Sequence, residues 1–460
     1  MKFTSLGSLA LLTLAMSNSS FAVTQDELQA ILAEQKQKLI EIEQQLAELK
    51  KANAEQKKQA VLAKKASKSH DEAASAEKNW WLKSYGSLLY KSEEIFRNTQ
   101  DIDPDRRAKT DLERVVVELG HKFDSQWQIE LELEYEHGGT GAALEYDGFE
   151  EFGEFESEIE AGGEVLVEKL EVKYTVNEDL AVKFGRIFVP VGLGTELHKP
   201  GQYFTTERHW SEATMIPQVW HENGINVSGS WNGFNAQALV TTGLNSEYFR
   251  SYRWAASGHQ KRFEQVNSDD LAFTLRLDYG DLAKGTGFGI SYYTGDTSGN
   301  RNNDDNIEGD GNLTLIGLHG AWQGYNWQLR GQYLYGELDD SAAITLANKT
   351  TPGLQPGNFA QVGSEAESAF FEAAYNSQSL FNLSKPLYLF AAYEYANPLK
   401  EVEQGNGSER FDIDEFAFGI NYLPTPELVL KAQFAQQQYA QDNLDDTNSF
   451  SLSMGYYFSL

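Results

Sequence analysis

The sequence predicts an all-β fold: a transmembrane antiparallel β-barrel, with sixteen strands, preceded by an N-terminal α-helical coiled coil. Three observations lead to this prediction. Apolar and polar residues alternate with period two in sixteen segments between residues 79 and 460. Short and long connections between these segments also alternate, as they do in membrane barrels. Before the barrel, apolar residues recur instead at heptad spacing.

The composition excludes several classes of function. The 460 residues include no cysteine, which excludes disulfides, thiolate metal sites and cysteine nucleophiles. The formal net charge of −30 argues against nucleic acid as a partner, because an acidic surface repels phosphate. The mean hydropathy of −0.49 fits a soluble protein of two or three domains. It also fits a membrane barrel, because alternating strands keep the average hydropathy low.

Residues 1–22 have the parts of a secretory signal peptide. Lys2 supplies a positive charge, residues 6–16 are apolar, and the small residues Ser20 and Ala22 precede a predicted cleavage after Ala22. A membrane anchor is the alternative, but the apolar stretch is shorter than the ~20 residues that a spanning helix needs. We therefore expect an exported protein.

Residues 23–66 are predicted to form a coiled coil that promotes self-association. Leu32, Leu39 and Leu46 recur every seven residues, and neither Gly nor Pro interrupts the pattern. The alternatives are a single solvated helix and a disordered spacer. Residues 67–78 form a small, polar linker. Because residues 23–78 contain ten Lys and ten Asp or Glu, the negative charge lies downstream, in the predicted barrel of residues 79–460.

The strand pattern is clearest in the segment WQIELELEYE, residues 127–136, where apolar and polar residues strictly alternate. A strand of this kind has one wet face and one apolar face. The sixteen predicted strands are 81–91, 111–120, 126–136, 167–176, 179–188, 224–231, 233–243, 270–279, 285–295, 312–322, 325–337, 366–377, 385–396, 411–422, 427–439 and 447–458. Fourteen or eighteen strands are the alternatives.

The connections indicate a barrel of the bacterial outer membrane. Short turns follow the even-numbered strands, whereas long polar segments follow most of the odd-numbered ones. This segregation is typical of periplasmic turns and extracellular loops, and a soluble sandwich or propeller has no reason to show it. An even number of strands places both ends of the barrel on the periplasmic side, where the coiled coil is also expected.

A resemblance to a known family supports this interpretation. Residues 170–193 read LEVKYTVNEDLAVKFGRIFVPVGL, and residues 224–243 read GINVSGSWNGFNAQALVTTG. Residues 170–193 resemble the phosphate-selective porin O and P family, in which a strand pair ends in a glycine followed by proline and glycine-leucine, here Gly185, Pro190, Gly192 and Leu193. Residues 224–243 are similar to the next hairpin of that family. The resemblance implies a trimeric sixteen-stranded channel in the outer membrane.

The predicted wall of the lumen carries both signs of charge. By alternation, basic and acidic side chains of the strands point inward, and rings of carboxylates favour cations. Phosphate selectivity is therefore not transferred from the family. For each wall charge the alternative is a side chain that simply faces a wet lumen. The candidate wall residues are Arg114, Lys169, Lys173, Lys183, Arg276, Arg330, Lys431, Glu130, Glu132 and Glu134.

The third long connection, residues 189–222, is the candidate constriction of the pore. In porin architecture this loop folds inward, and here it is long, aromatic and mixed in charge. We predict that Lys199, Arg208, His209 and Glu212 set the selectivity. The alternative is a surface loop that stays outside the barrel. The connection before it, residues 137–164, contains nine carboxylates and neither Lys nor Arg, and it either solvates the surface or collects cations.

The predicted function is a water-filled diffusion channel for small hydrophilic or charged solutes. Its expected surroundings are outer-membrane lipid and lipopolysaccharide, and its expected assembly is a homotrimer. We predict no catalytic residues, no metal and no cofactor, because G-x-S-x-G is absent and the eight His residues lack ligand spacing. The alternative is a structural or adhesive barrel, or a partner-binding protein, tethered through its periplasmic coiled coil.

Overall fold

The structure, a computed structural model, describes residues 37, 79–98, 101–138, 142–144, 159–161, 164–261, 265–302, 307, 309–350 and 359–460. The chain divides into two compact units, Met1–Lys78 and Asn79–Leu460. The predicted signal peptide, coiled coil and linker fall outside the described residues apart from position 37, and so does most of the acidic segment 137–164. Only the second unit is described below.

The described residues of the second unit form sixteen strands of one closed barrel. Their bounds are β1 Trp80–Ile95, β2 Asp105–Lys122, β3 Trp127–Glu136, β4 Glu164–Asn177, β5 Leu180–Phe188, β6 His221–Trp231, β7 Phe234–Thr242, β8 Leu271–Asp281, β9 Thr286–Asp296, β10 Asn312–Gly324, β11 Trp327–Leu338, β12 Glu365–Asn376, β13 Leu387–Glu401, β14 Ile413–Thr425, β15 Leu428–Tyr439 and β16 Thr447–Ser459.

Each strand pairs antiparallel with its sequence neighbours, and β1 pairs with β16 to close the barrel, with Lys83 opposite Ser459. The predicted antiparallel β-barrel and its sixteen strands are confirmed, and each predicted strand overlaps an observed one. The ends differ most at β2, which begins at Asp105 rather than at residue 111. Backbone pairing continues there through charged residues, which the apolar–polar pattern does not mark as strand.

The two faces of the barrel differ as alternation predicts. On β8, Leu271 and Leu277 are 57% and 46% exposed, whereas Thr274 and Arg276 between them are 0% and 2% exposed. The outer surface is therefore a band of large apolar side chains, and the polar side chains point into the lumen. A contiguous apolar surface of this extent is unfavourable in water and matches a lipid bilayer. A membrane-spanning helix is not found in the part of the chain that the structure describes.

Connections at one end of the barrel are short. Two of them are two-residue turns, Asn232–Gly233 and Tyr325–Asn326, and all four residues have φ between 49° and 86°. Turns with positive φ at both central residues match the twist of paired strands. Both ends of the barrel chain lie at this end, where Leu460 N donates to Leu82 O. The predicted alternation of short and long connections is thus observed for most of the barrel, although residues 377–386 at this end form a longer connection than residues 440–446 at the other end.

Connections at the other end are long and contain further elements. We name three of them by their residues: loop 3 is 189–220, loop 4 is 243–270 and loop 6 is 339–364. Loop 3 contains helix α1, Trp210–Met215, and loop 6 contains helix α2, Ser341–Thr350. A separate hairpin of Ala142–Leu144 and Ile159–Ala161 lies in the acidic segment; the sequence pattern did not predict it.

Loops 3, 4 and 6 pack against the inward faces of strands β8–β12. Their apolar side chains form one buried cluster, which we call the apolar plug. It contains Val189, Val191, Met215, Ile216, Trp220, Leu244, Phe249, Trp254, Ala255, Ala272, Tyr293, Leu313, Leu315, Leu334, Leu338, Ile344, Val362 and Ala366. This part of the lumen is therefore filled by a protein core rather than by water.

Candidate functional site

Loop 3 enters the barrel directly after β5. Arg276, on β8, donates from Nη1 to the carbonyl oxygens of Pro190 and Gly192, at 3.2 and 2.6 Å. The next amide, Leu193 N, donates to Oε1 of Gln332 on β11 at 2.5 Å. Gly192 has φ +70°, and a Cβ there would lie 2.4 Å from the Gln332 side chain. Only glycine fits both this conformation and this approach to the wall.

The middle of loop 3 runs along the opposite wall. Lys431, on β15, donates from Nζ to the carbonyl oxygens of Tyr203 and Thr205, at 2.9 and 2.8 Å. Thr206 also contacts this wall, because its hydroxyl lies 2.7 Å from that of Ser451 on β16. On a third side, Arg114 of β2 donates to the carbonyl oxygen of His198. Loop 3 thus crosses the lumen and bonds to inward-facing residues on several sides of it.

His209 is held between two carboxylates of the wall. Its Nδ1 lies 3.0 Å from Oε1 of Glu394 on β13, and its Nε2 lies 3.4 Å from Oε1 of Glu372 on β12. The ring also stacks on Phe370 at a centroid distance of 3.7 Å. Burial disfavours the charged ring, but the nearby carboxylates outweigh it and raise the pKa of His209 to about 10. His209 is therefore an imidazolium at neutral pH.

Helix α1 begins beside this ion pair. Ser211 donates to Oε2 of Glu394 from both its backbone N and its Oγ, at 3.0 and 2.9 Å. Glu212, one residue later, accepts from Gly194 N at 3.0 Å and from Gln332 Nε2 at 2.7 Å. Burial of the carboxyl raises the pKa of Glu212, against the effect of these hydrogen bonds. His209 and Glu212 are 8% and 5% exposed, so both contact the wall and the loop rather than solvent.

Lys199 and Arg208 are more exposed than these two residues. Nζ of Lys199 lies 3.7 Å from Glu118 and over the rings of Tyr85 and Tyr457, at 5.4 and 4.9 Å. Burial lowers the pKa of Lys199. Arg208 has no hydrogen bond or ion pair with any described residue, although it interacts electrostatically with Glu113 and Glu136. An unpaired guanidinium in such a place attracts anions and repels cations.

Charged residues around Arg208 line the side of the lumen opposite the apolar plug. We call this group the charged side. Lys91 lies 2.7 Å from Glu207, and Lys261 lies 3.5 Å from Glu136. Their side chains are between 17% and 36% exposed, unlike those of the apolar plug. The charged side consists of Lys91, Glu113, Glu136, Glu207, Arg208 and Lys261.

The predicted wall acids lie on β3, where they form a ladder with neighbouring strands. Lys169 of β4 pairs with Glu130 and Glu132, with 3.0 Å between its Nζ and Glu132 Oε2. Glu132 also accepts from the hydroxyl of Tyr85 at 2.7 Å. Glu134 faces Arg114 across 3.9 Å. These residues are largely buried beneath loop 3.

The remaining predicted wall cations have different partners. Lys183 pairs with Glu171 at 2.9 Å, and Arg276 pairs with Asp278 at 2.7 Å. Arg330 lies 3.9 Å from Glu372. Among the described residues, none provides Lys173 with a hydrogen bond or an ion pair. The predicted residues are thus spread around the wall, and the basic ones are mostly neutralised by the acidic ones.

Strict alternation missed two acids beside Arg114. The register of β1 and β2 shifts between Ser87 and Leu89, opposite Glu113. The register of β3 and β4 shifts at Glu132, so that Glu168 and Lys169 are both buried although they are consecutive. A β-bulge re-aims a side chain in this way. Both acids interact electrostatically with Arg114, and the sequence carries no turn or glycine signal at either bulge.

Sequence reasoning also missed the acceptors that hold loop 3. Oε1 of Glu372 accepts from the backbone N of Phe204 at 2.8 Å, and Oε1 of Gln433 accepts from Thr206 N at 2.9 Å. Their inward positions on β12 and β15 follow from alternation, but the pairing with a loop more than a hundred residues away does not. Within the described ranges, no three His, Asp or Glu side chains are arranged to hold a metal ion.

Comparison with known proteins gives one relative by sequence and several likenesses by structure. No family model matches the chain. An uncharacterised protein of Aquifex aeolicus (strain VF5) is 29% identical over 376 residues, which are 79% of this chain and 76% of that protein.

The solved structures that resemble the fold share little sequence with it. OmpF of Salmonella typhi is 13% identical over 82% of this chain and 97% of that one, with TM-score 0.47. The outer membrane channel DcaP of Acinetobacter baumannii is 9% identical over 83% of this chain and 96% of that one, also with TM-score 0.47. An anion-selective porin from Comamonas acidovorans is 11% identical over 82% and 99% of the two chains, with TM-score 0.45. The strand order and registers of the chain itself establish its fold.

Proposed function

We propose that the protein is a porin of the bacterial outer membrane, a channel through which small hydrophilic or charged solutes diffuse. The observation that carries this proposal is loop 3, which crosses a closed barrel and bonds to its wall on several sides. A barrel with an apolar outer band and a polar interior is suited to a membrane. A loop fixed across that interior narrows the path without needing to move.

In this proposal the narrowest part of the path runs along the charged side, to which loop 3 contributes Glu207 and Arg208. The apolar plug fills the lumen next to β8–β12, so dissolved ions pass on the other side. Arg208 and Lys199 face this path as the cations that solutes meet. His209 and Glu212 act as positioning residues, because their bonds hold the loop that carries Arg208. The carboxylates of the charged side balance these cations, so phosphate selectivity is not part of the proposal.

The assembly of the protein is proposed from its sequence. The signal peptide directs export, the coiled coil of residues 23–66 lies in the periplasm, and three copies associate in lipid and lipopolysaccharide. Deleting residues 23–66 tests the role of the coiled coil. If the truncated protein still forms a stable trimer of the same size by light scattering, the coiled coil is not needed for assembly.

Planar-bilayer recording tests the channel itself. Purified full-length protein is expected to give stepwise increases in ion conductance, and the reversal potential in a salt gradient then gives the preference for anions or cations. Folding of the same preparation is checked by its β-rich circular dichroism. A folded preparation that inserts without any conductance contradicts the channel and favours the adhesive alternative.

A further inference from the structure

Two lysines and an asparagine form one row across the inner wall. Lys173 on β4 lies directly opposite Lys183 on β5, and Lys183 lies directly opposite Asn226 on β6. Side chains in such positions are within reach of one another, and like charges directly opposite destabilise a sheet. The row therefore places two ammonium groups together, at a cost that nearby anions offset.

The three side chains of this row differ in their hydrogen-bond and ion-pair partners. Lys183 pairs with Glu171, with 2.9 Å between Nζ and Oε1. Lys173 has no such partner among the residues described. Asn226 donates from Nδ2 to Gln237 Oε1 at 2.8 Å, but its Oδ1 is buried without a hydrogen-bond partner. A buried polar atom without a partner is unfavourable, so this acceptor indicates a missing donor.

Both free groups line a cavity near the short-turn end of the barrel. Its volume is about 370 Å³. Hydroxyls and amides form much of its wall, including those of Thr175, Ser228 and Gln237. Glu196 of loop 3 also borders the cavity, where it accepts from Gln237 at 3.0 Å and lies 3.5 Å from Arg276. Four carboxylates line the cavity, and two of them, Glu171 and Glu196, are thus already engaged, whereas Glu178 and Asp179 lie in the turn between β4 and β5.

We propose that this cavity binds a small organic monoanion that carries hydroxyl groups, such as a sugar acid or hydroxy acid. The anionic group bridges Lys173 and Lys183, and a hydroxyl of the same molecule donates to Asn226 Oδ1. The carboxylates that line the cavity disfavour a second negative charge nearby. This inference rests on the proposed function, because it gives the channel a binding step on its periplasmic side.

Calorimetric titration of the full-length protein in detergent tests the binding site. Gluconate supplies both the anion and the hydroxyls, whereas hexanoate supplies only the anion and sorbitol only the hydroxyls. We expect gluconate to bind at least tenfold more tightly than either. K173Q is expected to weaken the binding of gluconate by about tenfold, in line with the loss of one charged hydrogen bond. N226L is expected to abolish the preference for gluconate over hexanoate.

The matched control is K385Q, which removes the same charge from an exposed lysine in the turn between β12 and β13. It should leave gluconate binding unchanged. Equal binding of gluconate and hexanoate by the unaltered protein overturns the inference, as does an equal effect of K385Q and K173Q. N226L also perturbs Gln237, so N226D provides another variant: it keeps an acceptor and should retain the preference for the hydroxylated probe.

The titration separates failure of this inference from failure of the channel. A protein that conducts ions but does not prefer gluconate is a porin without this site. A protein that binds gluconate as expected but gives no conductance has the site without the channel. In the latter case the binding step belongs to a receptor rather than to a diffusion path.

Discussion

Loop 3 is held by two regions of opposite chemistry. The apolar plug holds its two ends by burial of aromatic and aliphatic side chains such as Trp220 and Met215. Elsewhere the loop is held largely by charged side chains, through His209, Lys431 and Arg114, and Phe204 packs against Phe390. Burial is not directional and excludes water, whereas ion pairs need fixed geometry and tolerate a wet neighbourhood. The barrel is thus sealed on one side and remains polar on the other.

The apolar plug is expected to give the largest effect. Trp254 is fully buried within it and donates from Nε1 to Gly363 O at 2.8 Å. Trp254→Ala removes a large side chain from a closed core, which costs about 3–5 kcal/mol. Loops 4 and 6 should become sensitive to trypsin, and single-channel conductance should rise as the plug loosens.

A matched control for this change is Trp231→Ala. Trp231 is 71% exposed at the end of β6, so its loss should affect neither protease sensitivity nor conductance. If Trp254→Ala conducts like the unaltered protein and resists trypsin, the plug does not seal that side of the lumen.

Breaking the ionic attachment of loop 3 is expected to cost somewhat less stability than Trp254→Ala. Glu372 accepts from Phe204 N and faces both His209 and Arg330. Glu372→Gln keeps the shape but removes the charge, and loss of a charged hydrogen bond costs about 1.5–3 kcal/mol. We expect larger and noisier single-channel currents. Glu365→Gln, on the same strand with a 31% exposed side chain, is the control and should leave the currents unchanged.

The ionic attachment of loop 3 should depend on pH, whereas the apolar plug should not. The pKa of His209 in the folded protein, about 10, lies above the usual 6.5. Its charge therefore contributes fully below about pH 6.5, and this contribution is lost as the pH rises through 10. Open-channel noise should increase between about pH 9 and pH 11. In His209→Gln this step should be absent, and a step that persists in the variant must come from another group.

The smallest expected effect concerns selectivity. Arg208→Gln removes an unpaired charge from the path while leaving the attachments of loop 3 intact. At a solvated site such a charge contributes about 1 kcal/mol to the preference between ions, or roughly fivefold in the permeability ratio. The reversal potential in a KCl gradient should shift toward cation preference. An unchanged reversal potential would show that Arg208 does not face the path.

Regular features of the barrel were predictable from the sequence, and its irregular ones were not. Alternation in segments such as residues 127–136 identifies the strands because lipid and water impose opposite demands on the two faces. The bulges that bring Glu113 and Glu168 beside Arg114 break that periodicity without a sequence signal. The expected terminal helix and most of the acidic segment lie outside the described residues, so those predictions stay untested.

The second difference between the sequence prediction and the structure is the position of loops 4 and 6. The polar composition of loops 4 and 6 predicts external segments, yet Trp254 and Ile344 are completely buried inside the barrel. A lone tryptophan in a polar stretch does not reveal which surface covers it, because that depends on contacts with distant strands. The proposed roles of Lys199 and Arg208 follow from the composition of loop 3, whereas the partners of His209 required the fold.

The attachments of loop 3 also bear on how the barrel folds. The barrel closes only when β16 meets β1, so two unpaired edges persist until the end of the chain is in place, and exposed edges promote aggregation. Loop 3 bonds on both sides of this seam, through Glu207 to Lys91 and through Thr206 to Ser451, which is 245 residues away in sequence. Once loop 3 is ordered, the chain segment that must be closed to pair β1 with β16 is effectively shorter, so closure costs less entropy. From these contacts we expect loop 3 to help bring the first and last strands together as the barrel closes.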